Sequence, residues 1–108
     1  MVHSLKIETK YFVEVAAGYK PFEVRKDDRP FRLGDILALN ELTEDKAAYT
    51  GRFILAEITY ILRGEEYCKE GCCILGLSPC GIVRSRIAEG ERKFEIIKFG
   101  SETEYENY

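Results

Sequence analysis

The sequence contains a single histidine, His3, so it holds no paired-histidine metal or catalytic motif. It has no glycine-rich phosphate loop and no nucleophile elbow. No apolar run approaches the roughly 18 residues that a helical membrane span requires. The N-terminus, Met1 to Lys6, lacks the apolar segment of a secretion signal. A cytoplasmic protein without a membrane partner is therefore expected. Nor is there an excess of base: 16 Lys and Arg stand against 19 Asp and Glu, a net charge of −3, which argues against broad binding to duplex nucleic acid.

The four cysteines, Cys68, Cys72, Cys73 and Cys80, raise disulfides or zinc. Nothing marks an oxidising compartment, so disulfides are not expected. In a strand over 72–77, Cys72 and Cys73 point to opposite faces and cannot share one ion. They read as buried or incidental thiols, which behave as small hydrophobes. No metal and no cofactor is expected.

What is present is a soluble globular composition, 45% apolar and 32% charged, over a length that suits one domain. That domain is expected over residues 1–100. The tail 101–108 carries Glu102, Glu104 and Glu106 and no base, and is expected to be mobile. Without the tail the chain is near neutral. From Lys20 to Arg32 five bases (Lys20, Arg25, Lys26, Arg29, Arg32) outnumber Glu23, Asp27 and Asp28, so a local basic patch is expected on a neutral body.

Leu5 to Ile7 reads as a short strand, with His3 just ahead of it. Thr9 is placed to cap a helix, in which Phe12, Val15, Ala16 and Tyr19 have the spacing of a buried stripe. Gly18 stops it, since glycine takes the left-handed cap without a Cβ penalty. Lys26 to Pro30 is a turn, and Gly34-Asp35 a second, where Asp35 is expected to bond local backbone. Strands are expected over 36–42, 52–62, 73–77 and 93–99, with Ser78-Pro79 ending the third and short extended structure at 82–84. In the strand 52–62, Ile54, Ala56, Ile58, Tyr60 and Leu62 share one face. One helix followed by hairpin-linked strands implies an α+β protein: a small, mostly antiparallel β-barrel of five to six strands, with the N-terminal helix at its side.

The stretch from Gly18 to Arg25 lies where the helix pattern gives way to a strand pattern. Lys20 precedes Pro21 and is pushed toward extended backbone. Beyond it, Phe22 and Val24 face one way, Glu23 and Arg25 the other. Lys20, Glu23 and Arg25 thus gather at the seam between helix and barrel, where clefts form.

These residues carry a resemblance. Gly18-x-Lys20-x-x-Glu23-x-Arg25 resembles the G-x-K-x-x-E-x-R signature of ASCH domains, members of the PUA-like superfamily. The ordered series His3-x-Leu5-Lys6-Ile7, Tyr11-Phe12, Gly18 through Leu37, Tyr49-Thr50-Gly51-Arg52 and Thr59 through Leu62 is similar to the DUF3850 family of small ASCH-like proteins over roughly residues 3–77. The resemblance implies a PUA-like barrel whose cleft, beside the first helix, binds RNA or a nucleotide. Some small ASCH proteins are amidohydrolases that deacetylate N4-acetylcytidine with a lysine, a threonine and a glutamate. That lysine maps onto Lys20, the threonine position holds Glu23, and Glu65 or Glu66 lies in the region of the glutamate.

The leading expectation is a module that binds RNA or a nucleotide-like molecule. Lys20, Arg25 and Arg29 would meet phosphate or carbonyl groups, and Glu23 would accept from a base or orient Arg25. His3, Lys6 and Tyr60 would line the rim. The alternative is an amidohydrolase in which Lys20 and Glu23 are catalytic. A third expectation is a non-catalytic protein that binds a partner elsewhere on its surface.

Overall fold

The computed structural model describes residues 1–64 and 66–99, with residues 98 and 99 as backbone only. Glu65 and the acidic tail lie outside the described residues. Strand β1 (Val2–Ile7) leads into helix α1 (Thr9–Ala16), which is followed by β2 (Phe22–Lys26), β3 (Ile36–Leu42), β4 (Tyr49–Leu62), β5 (Cys72–Ala88) and β6 (Glu91–Phe99). No described helix is long and apolar enough to cross a membrane.

The six strands form one mixed sheet in the order β1-β3-β4-β5-β2, with β6 also paired to β5. β3, β4 and β5 are antiparallel neighbours, whereas β1 lies parallel to β3, Val2 opposite Ile36. β5 serves two partners in succession. Residues 72–76 pair with β2 and residues 81–88 with β6. The fold is thus α+β, as expected, but the sheet does not close as a barrel. Among the described residues β1 and β2, its two ends, share no ladder. Side chains occupy the gap instead.

α1 packs against β3 and β5 through Phe12, Val15 and Ala16, all at most 1% exposed. They join Leu37, Leu39, Ile54, Ile58, Leu75 and Ile82 in one core cluster. Burying a side chain such as Phe12 contributes about 2–3 kcal/mol. The helix ends as its sequence dictates: Gly18 takes φ +83°, and the amides of Tyr19 and Lys20 fold back onto the Glu14 carbonyl at 3.0 and 3.2 Å. That left-handed step turns the chain off the helix axis. Tyr19 therefore leaves the stripe and is exposed. Thr9 is not the cap. Glu8 holds that position without a side-chain bond, and the Thr9 hydroxyl reaches Glu41 instead.

Two bulges correct the strand expectations. Between Ile58 and Tyr60 the register against β5 shifts by one, with Leu77 opposite Ile58 and Gly76 opposite Tyr60. An extra residue reverses which side chains face inward. Tyr60 is accordingly exposed and Ile61 packs on the core. The second bulge lies at Cys80, since Leu55 pairs with Gly81 but Ala56 with Pro79. A bulge is a position where a strand tolerates proline, so Ser78-Pro79 bends β5 rather than ending it. Cys73 is fully buried and Cys72 lies on the opposite, half-buried side.

Candidate binding cleft

β2 is an inverted strand. Its apolar residues, Phe22 and Val24, are 40% and 53% exposed, while Glu23 between them is 4% exposed. A carboxylate tolerates burial only when its charge and lone pairs are met. Here both oxygens are. Lys20 Nζ donates to Oε1 at 2.8 Å, and Arg25 donates to Oε2 through Nε at 3.0 Å, with Nη2 at 2.8 Å. The ammonium of Lys20 also lies 4.9 Å from the ring centre of Tyr11 and 5.2 Å from that of Phe22, within range of a cation–π contact. The three charged residues at the helix–strand junction thus share one face and converge.

Arg25 extends beyond this cluster. Its Nη2 donates to the Lys6 carbonyl at 2.6 Å, and Arg29 Nη1 donates to the Ser4 carbonyl at 3.2 Å. Both carbonyls belong to β1, and the two arginines bridge the gap from the β2 side. Two clefts open along this seam. One, about 500 Å³, is lined by Lys6, Tyr11, Lys20, Glu23, Arg25 and Lys46 among others. The second, about 360 Å³, is lined by Ser4, Lys6, Arg25, Lys26, Arg29 and Tyr49 among others. They share Lys6 and Arg25. Six bases (Lys6, Lys20, Arg25, Lys26, Arg29, Lys46) line the pair against three acids (Glu8, Glu23, Asp28). An acidic chain therefore presents a locally positive groove, as its 20–32 segment suggests.

Lys6, Lys20, Glu23, Arg25 and Arg29 are brought together; His3 and Tyr60 are not. His3 is 3% exposed, donates or accepts through Nε2 at 2.8 Å to Asp35, and meets Phe31 edge-on at 4.8 Å. It braces the start of β1 rather than lining either cleft. Tyr60 is exposed on β4 and lines neither. Asp35 bonds local backbone as expected, accepting from the Arg32 amide at 3.1 Å, but also engages His3 and the Met1 ammonium. The His3 bond leads, and with the other donors it outweighs burial and holds the Asp35 carboxyl down at about 2.

A third buried acid, after Glu23 and Asp35, lies outside the sequence-predicted site residues. Glu41 is fully buried on the inner face of β3, after Leu37 and Leu39. It accepts from Thr9 at 2.5 Å, Thr50 at 2.7 Å, and Arg52 through Nε at 2.7 Å and Nη2 at 2.8 Å. Burial alone would raise its pKa; the bonds from Arg52, Thr9 and Thr50 outweigh that and lower it. The Arg52 guanidinium in turn lies 4.9 Å from the ring centre of Phe12. An acid in step with two inward leucines was the available signal.

The family model for DUF3850, a domain of unknown function, matches residues 2–77. The chain belongs to this family. A relative in Escherichia phage P2, an uncharacterized 12.9 kDa protein in the GpA 3′ region, is 41% identical over 58 residues, 54% of this chain and 51% of that protein. The match thus spans about half the length of the curated relative. The DUF3850 match takes in both seam clefts and the Glu41 cluster. It ends at Leu77, within β5, so the second half of β5 and all of β6 lie beyond it.

Proposed function

We propose that this DUF3850 protein is an RNA- or nucleotide-binding module whose ligand enters the seam clefts. The observation that carries this reading is the buried Glu23 carboxylate holding Lys20 and Arg25 in place on the wall of a locally positive groove. Cations fixed in this way meet an anionic ligand without first being ordered, which lowers the cost of binding. Arg25 and Arg29 offer planar donors to phosphate, and Lys20 a point charge. We read the sheet, with its ends brought together across the arginine seam, as a variant of the PUA-like, ASCH-type barrel. The test is equilibrium binding of short single-stranded RNA and of free nucleotides to the wild type and to Lys20→Ala. A loss of about tenfold or more, the order of one charge-assisted hydrogen bond, supports the reading. Equal binding by the variant, or none by either, ends it.

The amidohydrolase reading keeps one observation in its favour: Lys20 and Glu23 are in direct hydrogen-bond contact, as an acid–base pair requires. Against it, Glu23 already accepts from Arg25 through its other oxygen. Mass spectrometry of N4-acetylcytidine after incubation decides. Turnover absent from Lys20→Ala supports hydrolysis, and turnover no higher than in that control excludes it for this substrate.

A further inference from the structure

A third cleft, about 530 Å³, lies between the start of β4 and the β5–β6 hairpin. Its walls include Tyr49, Arg52, Phe53, Arg86, Arg92 and Phe94, and no Asp or Glu lines it. Tyr49 and Phe94 are 56% and 65% exposed, a large apolar area left in water. Phe94 meets Phe53 edge-on, ring centres 6.5 Å apart. Arg92 donates to the Ser85 hydroxyl. Arg86 is exposed and only loosely paired with Glu95 at 3.6 Å, a contact worth little. This cleft adjoins the seam. Tyr49 lines both it and the cleft holding Arg25 and Arg29, and Asn40 on its wall donates to Ser4 on theirs at 2.9 Å.

We propose that the hairpin beyond residue 77 adds a second subsite that continues the seam clefts, and that the ligand is a single-stranded nucleic acid several nucleotides long rather than a free nucleotide. This rests on the reading of the seam as a nucleotide site. Exposed rings stack bases irrespective of sequence, and Arg86 and Arg92 on the cleft wall donate to the backbone phosphates. The charge is complementary locally and the chain is acidic overall, which favours a strand threaded through a groove over a duplex laid on a surface. Of the three clefts, the two at the seam hold the first nucleotides and the third the following ones.

The experiment is fluorescence anisotropy with labelled oligouridylates of three, six and twelve nucleotides. In the wild type the affinity rises at least tenfold from the shortest to the longest. The Arg86→Ala/Arg92→Ala/Phe94→Ala variant, its fold checked by thermal melting, binds the trinucleotide as the wild type does but loses that rise. Its salt slope with the longest strand falls by about 1.4, the single-strand value for two arginines removed. Arg92→Glu alone, at an exposed position of β6, produces the same loss if the triple variant fails to fold. A rise with length that survives in these variants overturns the proposal. So does wild-type binding that does not grow with length, which leaves the seam reading intact. No binding at any length removes both. A dimer by light scattering that the triple variant makes monomeric, with the length dependence unchanged, would make the hairpin a self-association face and also overturn it.

Discussion

Arg52 grips Glu41 with two parallel bonds, Nε to one carboxylate oxygen at 2.7 Å and Nη2 to the other at 2.8 Å. The acid is fully buried, the base about a quarter exposed. Together with Thr9 and Thr50 they fasten the start of α1 to β3 and β4, and so hold the helix from which Lys20 is presented.

Removing one partner of this pair leaves a buried charge uncompensated. Arg52→Leu is expected to cost about 3 kcal/mol of stability, the low end for breaking a buried ion pair because the arginine is partly hydrated. The double variant Glu41→Leu/Arg52→Leu, which removes both charges, is expected to recover much of that loss. Urea denaturation of the three proteins checks this. Equal losses in the single and double variants would show that the pair contributes nothing through its charge.

Gly51 and Gly34 both adopt positive φ, +94° and +87°, but only one is crowded. A Cβ on Gly51 would lie 2.5 Å from the Ser85 carbonyl oxygen on β5, while nothing lies within 4 Å of one on Gly34. Gly34→Ala is expected to cost about 1 kcal/mol, the conformational penalty alone. Gly51→Ala is expected to cost about 2 kcal/mol or more, since β5 must also move from β4. Thermal melts of the two variants rank them. Similar midpoints would refute the crowding.

Acid sensitivity traces to Asp35. Its folded pKa, about 2, lies below the ordinary aspartate value, first through His3 and then through the Met1 ammonium and the Arg32 amide. The unfolded chain therefore takes up the proton first on acidification. The stability this group contributes is complete above about pH 4 and drains away as the pH falls toward 2. Asp35→Asn is expected to be less stable at neutral pH and flatter over that window. Denaturation midpoints at pH 5, 4, 3 and 2 test it, and parallel curves for the two proteins would dissociate the acid limb from this residue.

Glu23 separates two cations. Glu23→Gln keeps the shape but leaves Lys20 and Arg25 without their shared anion, and is expected to cost about 1–3 kcal/mol. Lys20→Ala removes a partly exposed partner and is expected to cost less than Glu23→Gln. Chemical denaturation compares them, and the reverse order would mean that Glu23 is not the anchor of the cluster.

Much of this molecule was legible in its sequence for local reasons. Gly18 ends the helix because of its own backbone freedom, and Glu23 and Arg25 share a face because strands alternate. What escaped depends on distant residues. Tyr60 left the inner face because of a one-residue register shift against Gly76 and Leu77. Pro79 stayed within a strand because Cys80 bulges opposite Leu55 and Ala56. His3 found Asp35, 32 positions on, and left the cleft. The number of strands implies a barrel, yet closure depends on whether β1 and β2 exchange backbone bonds, and strand counting carries no information about that.

The seam also bears on how one molecule avoids the next. An unpaired strand edge is a template for another chain. β1 and β2 turn such edges toward each other, and the guanidinium groups of Arg25 and Arg29 occupy the carbonyls at Lys6 and Ser4. Among the described strands, the outer edge of β6 is the long one left uncovered, and along it Lys93 and Glu95 alternate with Phe94 and Ile96. Arginines cover the two strand edges that meet at the seam, and interspersed charge blunts the edge of β6.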